Sequence, residues 1–182
     1  MSQSMYGCGG QRAESIDASL CAPLQRLMRE HIPLWDDLEE FLLTAERVEA
    51  EAGVNQEEAL TRLYEQVSSF AARLKVHARK EDDVLFPMMA RYIGRETGPI
   101  SVMEYEHSQA EYYLDKFLEE ASGDRRGINA NAAKVVAGYA IEAYSILTTH
   151  FSKEENVLFP MAESMLSDEE KARLDSMMLQ ME

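Results

Sequence analysis

The 182-residue sequence is poor in cysteine, proline and glycine, and it has no long apolar run. Its two cysteines exclude a disulfide framework, and neither is paired with histidine at the spacing of a zinc site. Five prolines and nine glycines leave room for long helices. No segment approaches the roughly 18 apolar residues of a membrane span, and the first residues lack the basic start and apolar stretch of a signal peptide. We therefore expect a cytoplasmic protein that does not bind membranes.

Basic residues are also scarce. The chain has 18 Lys and Arg against 33 Asp and Glu, which gives a formal net charge of -15. Because Lys and Arg supply most of the affinity for phosphate backbones and anionic lipids, this charge argues against nucleic acid and membrane surfaces as partners. The length and the 46% hydrophobic content suit one soluble globular domain.

The sequence contains an internal repeat. The stretch "HARKEDDVLFPM" begins at His77 and "HFSKEENVLFPM" begins at His150, and the two share eight of twelve residues. A second pair, "EHIPLWDDLEEFL" and "EHSQAEYYLDKFL", begins at Glu30 and Glu106. The copies lie 73 and 76 residues apart, so the repeating unit contains both stretches. This pattern predicts a duplicated helical hairpin.

Apolar residues recur at steps of three and four, which predicts four long helices that each bury one stripe. Every stripe carries one of the four histidines. The predicted stripes are Leu24, Leu27, His31, Leu34, Leu38 and Phe41; Leu60, Leu63, Val67, Phe70, Leu74, His77, Glu81, Val84 and Met88; Ile100, Met103, His107, Ala110, Leu114 and Phe117; and Ala133, Val136, Ala140, Ala143, Leu147, His150, Glu154, Val157 and Met161. We predict an all-α fold, an antiparallel up-down-up-down four-helix bundle with an internal hairpin repeat and a short C-terminal helix.

The chain divides into a flexible N-terminal tail (1–19), the bundle (20–165) and a C-terminal capping helix (166–182). Ser167, followed by Glu170, predicts a capping box at the start of that last helix. The buried side of the helix is predicted to carry Leu174, Met177 and Met181, which would pack on the bundle or on a second copy.

Three prolines lie within the predicted helices. Pro87 and Pro160 follow identical "VLF" runs and are predicted to end or kink their helices beyond the histidines. Pro33 lies two residues after His31 and is predicted to kink the first helix.

The polar residues of the stripes form the candidate site. One histidine on an apolar face is usually structural, but one on each of four helices favours metal binding. Two of the histidines precede a glutamate by one turn, and a buried unpaired carboxylate costs several kcal/mol. No Lys or Arg lies on the stripes near these glutamates, so we expect a bound cation.

Six donors suit two octahedral metals with both carboxylates bridging, and the spacing admits iron, zinc, copper or manganese. The predicted ligands are His31, His77, Glu81, His107, His150 and Glu154.

Over roughly residues 20 to 165 the chain resembles the hemerythrin-like, HHE cation-binding family, through "REH", "HARKEDDVLFP", "YEH" and "HFSKEENVLFP". The resemblance implies two iron ions in a di-iron centre, with an oxo or hydroxo bridge as one form, and Glu81 and Glu154 as bridging ligands. Oxygen carriers of the family place a histidine where Glu111 stands and a carboxylate where Glu155 stands. Glu111 is therefore either close to the metal or a residue facing water. Glu155 and Asp82 are predicted to lie behind the ligands or in solvent.

The resemblance implies a function without fixing it. The six-ligand pattern favours binding of oxygen, nitric oxide or peroxide in sensing or in protection against stress. Two alternatives stay open: an enzyme that reduces nitric oxide or decomposes peroxide with a redox partner, and an iron donor for iron-sulfur cluster repair or an iron buffer. Whether the protein is an enzyme, and whether it forms a homodimer, also stays open.

Overall fold

A computed structural model describes residues 19–52, 54–123 and 128–181, and every regular element in these ranges is helical. The all-α prediction is confirmed. The tail predicted for residues 1–19 lies outside the described residues except for Ser19. No helix in the described ranges is long and apolar enough to cross a membrane. The elements are α1 (Ala22–Ala50), α2 (Val54–Lys80), π1 (Glu81–Leu85), α3 (Phe86–Ile93), α4 (Pro99–Ala121), α5 (Ala130–Lys153), π2 (Glu154–Leu158), α6 (Phe159–Met165) and α7 (Asp168–Leu179).

Four long helices form the bundle: α1, α2 with π1 and α3, α4, and α5 with π2 and α6. Helix α2 packs against α1 and α4, and α5 packs against α4 and α1, so the four helices surround one core. Helices α1 and α2 are antiparallel. Gln56 donates a hydrogen bond to the carbonyl of Val48 beside their connecting loop, whereas His77 lies beside Glu30 near the other ends.

The apolar core has two clusters, one on each side of the layer of histidines and glutamates. Phe41, Phe70 and Phe117 belong to the cluster in the long part of the bundle. Phe86 and Phe159 belong to the cluster at the other end, which also includes residues from α7. The site is thus enclosed between two apolar layers.

Pro87 and Pro160 do not end their helices, which continue to Ile93 and Met165, so that part of the prediction is wrong. Each proline instead follows a five-residue π-helical segment, π1 or π2. Proline lacks an N–H and its ring clashes with the carbonyl four residues back, and the wider π turn accommodates both effects. Helix α1 passes Pro33 without interruption, and the kink there stays a prediction.

The π segments also change which of their own residues are buried. Val157, within π2, was predicted to be buried but is 51% exposed. A π turn contains an additional residue, so the buried face shifts along the segment and Leu158 is buried instead. Val84, the repeat counterpart of Val157, is only 3% exposed because α7 packs against π1.

Helix α7 begins with the predicted capping box at Ser167 and packs against α1 and π1. Its buried residues are Leu174 and Met178. Met177 and Met181, which were predicted to share the buried face, pack only partly against the core. The helix therefore covers the end of the bundle with a slightly rotated face.

Candidate metal centre

The six predicted ligands lie together in the middle of the bundle, in two groups whose donor atoms are within 4.8 Å of one another. Two histidines in each group come from different helices, and the two glutamates belong to both groups. This arrangement suits two metal ions that share both carboxylates. The groups are His31, His77, Glu81 and Glu154, and Glu81, His107, His150 and Glu154.

The local helix geometry explains how the shared carboxylates reach both groups. Glu81 and Glu154 each lie one turn beyond a histidine, on the same side of the helix. Each glutamate also begins a π segment, so the widened turn starts at the carboxylate that has to reach across the core.

The residues present fit metal ions. Both carboxylate oxygens of Glu81 and of Glu154 are buried and have no hydrogen-bond partner, and nearby imidazole Nε2 atoms lie 3.1–3.5 Å away without the alignment of a hydrogen bond. The Nε2 atoms of His31 and His77 lie 3.0 Å apart. Such an approach needs a proton or a cation between the two nitrogens. A cation in each group satisfies the nitrogens and the carboxylates together.

Each histidine has a carboxylate behind it. The Nδ1 atoms lie 2.9–3.2 Å from acidic side chains, so each Nδ1–H donates to a carboxylate and the Nε2 atom faces the core. Such partners fix the tautomer and the orientation of the ring. The pairs are His31 with Glu155, His77 with Glu30, His107 with Asp82, and His150 with Glu106.

Sequence reasoning placed Glu155 and Asp82 at the border of the site but assigned no role to Glu30 and Glu106. Both missed residues immediately precede a histidine, and each contacts the histidine of the neighbouring helix rather than its own. The repeated Glu-His dipeptide was the signal that could have identified them.

Two lysines support the missed glutamates. Lys80 is only 4% exposed and donates to Glu30 at 2.6 Å, and Lys153 pairs with Glu106 in the same way. Lys80 lies off the apolar stripe, and its burial was not predicted from the sequence. Its long side chain directs the ammonium to Glu30 and leaves the oxygens of Glu81 unpaired.

The buried charges change the pKa values of the ligands. Burial lowers the pKa of His77, but Glu81 and Glu30 outweigh burial and raise that pKa to about 10. The pKa of His150 is also raised to about 10, by its own carboxylate neighbours. Although burial opposes it, the charge of His150 holds the pKa of Glu154 well below its usual value. Without metal, His77 and His150 therefore hold protons that a metal ion has to displace.

The position four residues after the histidine differs between the two halves. Trp35 donates its indole N–H to Glu155 at 3.0 Å. Glu111, the repeat counterpart of Trp35, is exposed and belongs to neither group of four. It lines a cavity of about 350 Å³ between α2 and α4 that reaches His107. A role of Glu111 as a metal ligand stays a prediction.

We predict that Lys80→Ala lowers the free energy of unfolding more than Lys153→Ala does. The Lys80 side chain is 5% exposed and that of Lys153 is 40% exposed. Removing the buried partner is expected to cost about 1–3 kcal/mol, and removing the more exposed one less than about 1 kcal/mol. Urea unfolding of the two variants measures the difference. Equal losses would show that burial of Lys80 has no energetic weight.

Comparisons with known proteins support the site. A family model described as the hemerythrin HHE cation binding domain matches residues 22–162. The chain is 35% identical over 149 residues to the "Iron-sulfur cluster repair protein YtfE" of Edwardsiella ictaluri. The match covers 78% of this chain and 66% of that relative. Proteins of the same name from Salmonella schwarzengrund and Salmonella paratyphi B are 38% identical over 105 residues, 57% of this chain and 44% of theirs. The chain thus spans about half to two thirds of these relatives, and no solved structure matches it.

Proposed function

We propose, from the premise that this chain belongs to the hemerythrin HHE cation-binding family, that its metal centre binds oxygen, nitric oxide or peroxide and thereby protects iron-sulfur clusters. The cofactor is a pair of iron ions, and the two groups of histidines and glutamates fit it. When bound, iron supplies electrons and Lewis-acidic positions for a small ligand. The role of the six residues as its ligands is part of the proposal.

One observation carries this function. Each group offers two imidazole nitrogens and one oxygen from each shared glutamate, which makes four donors. An iron ion that prefers six donors then keeps coordination positions for a molecule from solvent. In a purely structural site, protein side chains fill every coordination position of the metal, so this donor count favours binding of a ligand from solvent.

The surrounding residues prepare the site for such a ligand. Phe151 stacks on His31 with ring centroids 4.3 Å apart, and Phe86 stacks on His107 at 5.6 Å. Each ring covers one face of the imidazole that it stacks on. The acids behind the histidines hold the Nδ1 protons, so the Nε2 atoms stay directed at the centre.

Stopped-flow spectroscopy tests the proposal. Iron-loaded, reduced protein mixed with nitric oxide, oxygen or hydrogen peroxide is expected to change its spectrum once and form a stable adduct. Repeated consumption of the added molecule would instead identify the enzyme that the sequence left open, together with a need for a redox partner. If protein that holds two iron ions responds to none of the three, ligand binding is the wrong function.

A second candidate is donation of iron to damaged clusters. The observation that favours it is the name of the relatives, which are iron-sulfur cluster repair proteins at 35–38% identity. Donation requires iron that exchanges readily. We expect a donor to lose its iron to excess chelator within minutes to hours, and iron held for days would argue against this candidate.

A further inference from the structure

The cavity between α2 and α4 is open on one side and reaches His107 and Asp82 on the other. Most of its lining is apolar, and several lining residues are alanines, among them Ala71, Ala78 and Ala110. A gap between two packed helices is unusual, because side chains normally fill it. The internal repeat explains how this gap arises.

The repeat relates the groove between α2 and α4 to the groove between α5 and α1. Three positions that are small or polar in the first groove are aromatic in the second. The matched positions are Ala78 with Phe151, Ala71 with Tyr144, and Glu111 with Trp35.

These aromatic residues close the second groove. Phe151 stacks on His31, and Trp35 contacts Phe151 edge to face at 5.6 Å. Tyr144 contacts Phe41 in the same core. The His31 side chain is accordingly 1% exposed, whereas that of His107 is 10% exposed. The two halves of the site therefore differ in access from solvent.

Another cavity, between α1 and α2, includes His77 in its lining. Glu30 and Lys80 also line it, and their ion pair lies at the Nδ1 atom of His77. The Nε2 atom faces the other ligands instead. Because the His77 side chain is only 2% exposed, against 10% for that of His107, this second cavity gives less access to the histidine that it borders.

The size and lining of the α2–α4 cavity indicate what kind of molecule it can bind. Its volume of about 350 Å³ far exceeds the roughly 30 Å³ that one water molecule occupies in the liquid. Lys75 and Arg79 line it from α2, and Glu111 and Asp115 line it from α4, so both signs of charge are present at the polar part. Asp82 also lines the cavity but pairs with His107, so the two remaining acids balance the two basic residues. The net charge of -15 disfavours anions.

We propose that this cavity is the binding site and access route for a neutral, weakly polar small molecule that approaches the His107 and His150 half of the centre. The inference rests on the proposed function of that centre. The aromatic residues of the repeat close the equivalent route to His31. The side chain at position 78 controls access. The first copy of the repeat has Ala78 beside His107, where the second copy has Phe151 stacked on His31.

The test is to replace residues of the open α2–α4 groove with the residues at the equivalent positions of the closed α5–α1 groove. Ala78→Phe copies Phe151, and Ala71→Tyr copies Tyr144 as a second way to fill the cavity. Val76→Thr, which copies Thr149, is the control, because Val76 is an exposed residue of α2 that lines the other cavity. The association rate of nitric oxide with reduced, iron-loaded protein is expected to fall about tenfold or more in the filled variants and less than about twofold in the control. Iron content should stay the same in all three.

Xenon provides a readout that does not depend on iron, since it occupies apolar cavities. Crystals of the wild-type protein under xenon pressure should show xenon between α2 and α4, and crystals of Ala78→Phe or Ala71→Tyr should not. An empty cavity in the wild type overturns the proposal. So does an unchanged nitric oxide rate in a variant that has lost xenon. If the protein binds no iron the proposed function fails, and xenon alone then decides whether the cavity binds weakly polar molecules.

Discussion

Replacing Glu81 with alanine is expected to lower the iron content from two ions per chain to less than about one, because this residue belongs to both groups of donors. Its side chain is fully buried, and both oxygens lack any other partner. The variant therefore removes one donor from each iron position. Glu154→Ala should have the same effect, since Glu154 is shared in the same way. Metal analysis of protein expressed with iron measures the loss.

Glu142→Ala is the matched control. Glu142 is an acid within the same bundle, but it is exposed and lies outside both groups. The control should keep two iron ions. Full iron content in Glu81→Ala, or an equal loss in Glu142→Ala, would contradict the assignment of the shared carboxylates.

Removing the metal is expected to destabilise the protein by an amount that grows with pH. In metal-free protein the pKa values of His77 and His150 are about 10, against about 6.5 in an unfolded chain. These protons therefore stabilise the folded metal-free state. Their contribution to the free energy of unfolding is complete below about pH 6.5 and is lost as the pH rises through about 10. Metal binding displaces the same protons, so it is favoured as pH rises.

The expected result is a widening gap between metal-loaded and metal-free protein. Between about pH 6.5 and 10 the gap should grow by about 1.4 kcal/mol per pH unit for each proton released. Urea unfolding of both forms at about pH 6.5, 7.5 and 8.5 measures the gap. A gap that is constant with pH would mean that these histidines release no protons when metal binds.

The bundle and the clustering of the six proposed ligands could be predicted because helical spacing determines which residues share a face. His77 and Glu81 lie four residues apart on an apolar stripe, so both were expected to be buried on one face of the helix, as they are. The duplication supplied a second, independent copy of the same argument at His150 and Glu154. The predicted capping box at Ser167 was confirmed for a similar reason, since it depends on neighbouring residues only.

The remaining features depend on contacts between distant residues. Val157 and Val84 occupy equivalent positions, yet only Val84 is covered by α7, which the local pattern does not encode. The π segments form where a proline has to be accommodated within a continuing helix. Lys80 lies off the apolar stripe and is buried only because Glu30 of α1 accepts its ammonium group.

The access cavity was also beyond the sequence reasoning, although its signal is in the repeat. Ala78 and Phe151 stand at equivalent positions, but their difference has meaning only when the helix that faces each of them is known. Glu111 was considered as a neighbour of the metal without regard to the groove that it borders. The packing of α2 on α4 and of α5 on α1 supplies that information.

Anomalous diffraction at the iron absorption edge tests the central claim most directly. Crystals of the iron-loaded protein should show two anomalous peaks, one among His31, His77 and the shared glutamates and the other among His107, His150 and the same glutamates. Both Glu81 and Glu154 should contact both peaks. A single peak, or iron bound outside these two groups, would contradict the account of a di-iron centre held by four helices.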